Sequence, residues 1–161
     1  MPSLKIRLTK GRDGPSTLSC TRPDGTSTWM RVQDFFPLHD LTHYAVESTL
    51  GLTDAFYGLI LSGWNITDFA VPGASKRIPD EAGHAEHFVA ILQREFFSRD
   101  PGSIEEFNDE MEAFAKANGS SRAREVSQRE LDTMRQKVFE LSNQWRSLAP
   151  GESMEVEFVI P

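Results

Sequence analysis

All four histidines of this chain come in pairs, His39 with His43 and His84 with His87. The spacings are i, i+4 and i, i+3. On a helix, either spacing puts both imidazoles of a pair on one face, about a turn apart. Two imidazoles so placed can reach one metal ion. A catalytic zinc keeps three protein ligands and one open position, and a bound metal brings the pKa of its water near neutrality. The pattern therefore points to a small metal-dependent hydrolase. Its divalent ion would be held by His39, His43 and one or both of His84 and His87, and the metal-bound water would be the nucleophile. Zinc is favoured, and iron or manganese suits the same donors.

Two carboxylates accompany the first pair. Glu47 lies eight residues from His39, about 12 Å along a helix axis, too far to share an ion with both imidazoles. Asp40 and Glu47 are therefore read as catalytic groups. Each would be the base for the water, or would orient an imidazole through its free N–H. The stretch His39-Asp40-Leu41-Thr42-His43 in part resembles the His-Glu-x-x-His signature of zinc metalloproteases. In that signature the histidines bind zinc and the acidic residue between them is the general base. The resemblance spans five residues, and Asp40 stands where the signature has Glu. Its reach is shorter by one methylene, about 1.5 Å.

The plainer alternative is an interaction or structural protein whose histidines are packing residues, bonded to carboxylates such as Asp80, Glu81 or Glu86. Geometry separates the readings. One metal bound by both pairs requires the helices at 37–50 and 79–97 to pack side by side, with His43 and His84 closest and at least three imidazoles converging. On that reading His43→Ala costs little stability, because a helical position near the surface tolerates Ala.

The elements that must position these groups follow from periodicity and punctuation. Leu4, Ile6 and Leu8 alternate with polar residues, Asp13-Gly14 and Asp24-Gly25 mark turns needing positive φ, and a three-stranded antiparallel meander over 3–32 results. A helix with Pro37 in its first turn and Asp34 as a cap runs to Gly51. On its wheel, His39, Asp40, His43 and Glu47 adjoin an apolar arc of Leu38, Leu41 and Ala45. Thr53 caps a second helix to Ser62, apolar nearly all round, which belongs at the core's centre or at an interface with a second copy. Residues 65–78 form a loop that can cover a pocket walled by Trp29, Phe35, Phe36, Tyr44, Phe56, Tyr57, Trp64 and Phe69, with Lys76 and Arg77 placed for an anionic substrate group. Pro79 opens the next helix, in which Gly83 lets another element approach His84 closely. Ser103 and Ser127 begin two capping boxes. Residues 154–160 alternate again, and their apolar face needs a partner.

These elements make an α+β fold. The N-terminal meander, joined by the C-terminal strand, packs against a helical middle of about five helices, and residues 1–161 form a single domain. The formal charge of −7 disfavours nucleic acid or an anionic membrane as partner. One cysteine, Cys20, excludes an intramolecular disulfide and reads as inert packing. No stretch is apolar enough to span a bilayer, and no Gly-x-Ser-x-Gly elbow is present. The expected setting is cytoplasmic and the expected partner a small-molecule substrate, with a homodimer through residues 53–62.

Overall fold

Strand alternation at the two ends of the chain produces one sheet. In the computed structural model, which describes residues 2–33 and 35–161, β1 (Ser3–Thr9), β2 (Ser16–Thr21) and β3 (Ser27–Val32) form the expected meander. The last strand, β4 (Ser153–Val159), pairs antiparallel with β1, so the sheet order is β3-β2-β1-β4. The register sets Leu4 opposite Phe158 and Leu8 opposite Met154. All four are buried, together with Ile6, Leu18 and Cys20. The fold is therefore the α+β arrangement read from the sequence, with the C-terminal strand completing the meander's edge.

The turns differ in detail. Gly25 takes φ +89° as a tight turn needs, whereas Gly14 is not among the positive-φ glycines. The first connection is longer than a two-residue hairpin, so its backbone turns without a left-handed residue.

Five α-helices lie between β3 and β4: α1 (Phe36–Leu50), α2 (Phe56–Ser62), α3 (Asp80–Ser98), α4 (Ile104–Ala117) and α5 (Gln128–Ser147). Pro37 sits in the first turn of α1, and Gly51 ends it in the left-handed conformation. The cap assigned to Asp34 lies outside the described residues. Thr53 does not cap α2, which starts later at an Ala55 N-cap. Both serine capping boxes are present at α4 and α5. Segment 65–78 is not a plain loop but carries two 3-10 turns, Ile66–Ala70 and Ala74–Lys76. Among the described residues, no helix is long and apolar enough to cross a membrane.

Helix α1 belongs to two cores at once. Its Leu41 joins the sheet core with Ile6, Tyr57, Ile60 and Phe158. Its Val46 and Leu50 join a helical core with Phe88, Leu92, Phe107, Met111 and Met134. With apolar layers on two sides, α1 buries polar residues that a surface helix would show to water: Asp40, Thr42, His43 and Glu47. Tyr57, Leu59 and Ile60 of α2 are likewise buried within the chain, which accounts for the apolar character of that helix without a second copy.

Within the helices, the close approach expected at Gly83 is found instead at Gly58. A Cβ at Gly58 would meet the Thr53 carbonyl oxygen at 2.0 Å, whereas one at Gly83 would meet nothing within 4 Å. Gly58 therefore lets the chain fold tightly back at the start of α2, close to Glu47.

Candidate metal centre

The helices carrying the two histidine pairs pack side by side, as one shared site requires, but their register brings a different group to the first pair. Opposite His39 and His43 stands Glu86 of α3. His43 Nε2 lies 3.1 Å from Glu86 Oε1, and His39 Nε2 lies 3.7 Å from Glu86 Oε2. One ligand atom from each of the three residues can be chosen so that all lie within 4.8 Å of one another.

The other nitrogen of each imidazole is anchored. His43 Nδ1–H donates to Glu47 Oε2 at 3.0 Å, one helical turn away. Glu47 is fully buried, and its Oε1 accepts from the backbone N–H of Tyr57 at 2.8 Å. His39 Nδ1–H donates to Gln93 Oε1 of α3 at 3.0 Å. Holding Nδ1 in this way fixes each ring plane and turns Nε2 outward, where it can ligate an ion once it carries no proton. Both Nε2 atoms therefore face one carboxylate, with their rings 4.8 Å apart.

His84 and His87, expected as ligands, are not brought into this group. His84 is buried, and its Nε2 meets Ser120 Oγ at 3.1 Å. His87 Nε2 meets Glu110 Oε2 at 3.1 Å, and its ring stacks on Phe114 with centroids 4.2 Å apart. The expected closest contact of His43 with His84 is replaced by His43 with Glu86. The reason is register: residues 84 and 87 face α4 and the segment after it, while residue 86 faces α1. Of the other acidic neighbours of the second pair, Asp80 accepts from Ser121 N–H and Glu81 from Asp54 N–H.

Electrostatics follow from the burial. Desolvation opposes charge on His43, but the hydrogen bonds and charges of Glu47 and Glu86 outweigh it and raise its pKa from 6.5 to about 10. Burial and the neighbouring His43 charge lower the pKa of His39, which keeps its Nε2 lone pair free. The Asp40 carboxyl is 5% exposed and is pushed up to about 7, chiefly by burial. Its Oδ2 has no hydrogen-bond partner among the described residues. Because His43 is 2% exposed and sits between two carboxylates, the expectation that His43→Ala is cheap does not hold. That change would strand Glu47, buried and unpaired.

The donor set fits a divalent ion. Two imidazoles and a carboxylate are common zinc ligands, and they are also the donors of mononuclear iron sites. Two ligands of a tetrahedral ion at 2.0–2.2 Å are about 3.4 Å apart, close to the distance of each imidazole from its nearer Glu86 oxygen, Oε1 for His43 and Oε2 for His39. The longest edge of the triangle must close by about 1.4 Å, a movement open to the partly exposed His39 and Glu86 side chains.

The group opens onto a cavity of about 400 Å³ whose lining includes His39, Asp40, His43 and Glu86. Phe36, Phe56 and Phe69 from the expected aromatic wall line it, but Lys76 and Arg77 do not. Arg77 instead lies over the Trp64 ring at 5.1 Å. The first 3-10 turn forms one wall and is tied to β3 where Ile66 N–H donates to Thr28 Oγ1 at 3.0 Å. Elsewhere, Cys20 is buried, and its thiol is pushed up to about 12, mainly by desolvation, which leaves it protonated and inert.

Glu86 and Gln93 are the residues that sequence reasoning missed as members of the site. Glu86 appears there only as one of three acidic neighbours, and Gln93 has no signal beyond lying seven residues beyond it. Comparison with protein-family models, with curated proteins and with solved structures finds no match to this chain.

Proposed function

We propose that this protein is a small metal-dependent hydrolase whose divalent ion, zinc by preference, is held by His39, His43 and Glu86. The observation that carries the reading is the shared aim of the two imidazoles. Each is fixed through Nδ1 by a separate acceptor, and each turns Nε2 toward the same carboxylate. Packing histidines need one partner each; here both nitrogens of His43 are hydrogen-bonded, and His39, bonded through Nδ1, turns a free Nε2 to the same carboxylate at 3.7 Å. Glu47 and Gln93 orient the rings and raise their basicity. The metal would supply a Lewis acid and a water that ionises near neutral pH. Asp40 lines the same cavity with an unpartnered buried oxygen, suited to hold or take a proton beside the ligands.

Metal analysis of tag-free protein, before and after reconstitution, tests this. One equivalent of metal per chain is expected, and less than about a tenth after reconstitution with zinc, iron and manganese in turn would overturn it. A second reading, an interaction protein, draws on Phe35, Phe36, Phe97 and Phe139, which are all more than half exposed. On that reading the purified chain takes up no metal.

A further inference from the structure

We propose that the site takes neutral carbonyl compounds with an apolar aliphatic or aryl body, such as esters, amides or lactones, and rejects phosphate esters and substrates with a second anionic group. This rests on the hydrolase reading above and names the substrate class of that site. Two observations carry it.

The first is the cavity's composition. Its polar lining is His39, Asp40, His43 and Glu86 of the candidate centre, with the exposed Arg31 and Gln33 of the segment that ends β3. Leu18, Met30, Val32, Phe56, Ile66 and Phe69 supply the walls. These apolar walls gain free energy in proportion to the area they cover and provide no hydrogen bond themselves, so outside the candidate centre a second polar group would meet only the solvent-exposed Arg31 and Gln33. A volume of about 400 Å³ suits a small organic molecule.

The second is charge. Against two positive charges of the ion stand the carboxylates of Glu86, at the ligand position, and Glu47, behind His43. The net charge there is zero, or negative if Asp40 is ionised. The one basic residue of the lining is Arg31, which is exposed to solvent. Lys76 and Arg77, from the segment that forms a wall, are outside the lining. Sites that bind phosphoryl groups surround them with Arg, Lys or backbone N–H donors, and that surplus of positive charge is missing here among the described residues. In the hydrolysis inferred, the acyl C–O or C–N bond breaks. The water oxygen bonds to the acyl carbon, and its proton leaves with the alcohol or amine. No redox partner is required.

Calorimetric binding to the zinc-loaded protein tests the proposal without reference to activity. The probes are acetohydroxamate and octanohydroxamate, carbonyl-type chelators added as their hydroxamic acids, which are uncharged in neutral solution, and phenyl phosphate. Octanohydroxamate should bind at least about 30-fold more tightly than acetohydroxamate, the gain from burying two to three methylenes. Phenyl phosphate should bind more weakly than octanohydroxamate. Ala70 lines the cavity, is exposed, and ends the 3-10 turn, so Ala70→Trp should narrow the entrance without disturbing the fold. It should erase most of the chain-length gain while leaving zinc content and acetohydroxamate affinity unchanged. A zinc-loaded protein with no chain-length gain, or with phenyl phosphate the tightest probe, overturns the substrate class and leaves the metal site standing. A protein that retains no metal overturns the hydrolase reading and this inference with it.

Discussion

Two histidine pairs with nearly the same helical spacing end in opposite conditions. Around His39 and His43, both rings are anchored at Nδ1 and turn Nε2 to one carboxylate. At the other pair the two rings part company: His84 goes to a serine hydroxyl, and His87 goes to Glu110, which also binds Arg94. Spacing on one helix brings two rings to one face, but the facing element decides whether they share anything. For the first pair that element is α3, which offers Glu86 and Gln93 two turns apart. For the second, the partners are Ser120, beyond the end of α4, and Glu110 within it, each within reach of only one ring.

The largest effect should come from breaking the convergent cluster at its most exposed member. Glu86→Ala is expected to abolish stoichiometric metal retention, measured by elemental analysis after reconstitution. His84→Ala and His87→Ala should leave metal content unchanged, and loss of metal in either would erase the distinction between the pairs. His43→Ala should also lose the metal, and in addition lower the stability of the metal-free protein by about 3 kcal/mol or more, because Glu47 is left buried without its partner. Denaturant titration reads this directly. His87→Ala, at a partly exposed ion pair, should cost about 1 kcal/mol or less.

A smaller effect should separate ligands from the groups that hold them. Glu47→Gln and Gln93→Ala keep all three ligands, so metal affinity should fall about 10–100-fold rather than vanish. Competition with a chromogenic chelator measures the difference. An unchanged affinity in both variants would mean that the anchored nitrogens do not matter to the site.

A separate expected effect concerns pH. The pKa of Asp40 is raised from 3.8 to about 7 by burial, so between those values the folded state holds a proton that the unfolded state has lost. Stability of the metal-free protein should then fall as pH rises from 4 to 7. Asp40→Asn should flatten that fall. His43 has the opposite charge type and a raised pKa near 10. Its contribution is present below 6.5 and is lost as pH rises toward 10. A thermal-melting series across pH 4 to 10 on both proteins resolves the two windows.

Much of the fold was legible because its signals are local. Alternation in residues 4–8 and 154–160 reports a half-buried strand, and Ser103 and Ser127 with Glu three residues on report helix starts. Convergence of the chain ends into one sheet followed from each having an unmatched apolar face. The first histidine pair was legible for the same reason, since i, i+4 is a property of one helix. Glu86 was not. Its membership depends on how far α3 is slid and rotated against α1, which is set by side chains such as Ala85, Val89 and Val46 meeting in a common core. A shift of one residue along α3 would have offered His87 instead. The burial of His43 was missed because a wheel assumes one apolar neighbour, and α1 has two. Thr53 failed as a cap because the tight approach at Gly58 delays the start of α2.

The position of α1 between the sheet and the helices also has a consequence for how the molecule breathes. Opening either layer alone strips one flank of α1 but leaves the other packed, so the middle of the helix keeps its hydrogen bonds. Its backbone amides, from about Thr42 to Glu47, should exchange with deuterium only when the whole chain unfolds, while those of the short α2 and the 3-10 turns exchange through smaller openings. His43 and the Glu47 that orients it would then sit on the slowest-exchanging segment, and the cavity wall on a faster one. The chelating side of the site would stay rigid while the wall gives way to admit a molecule.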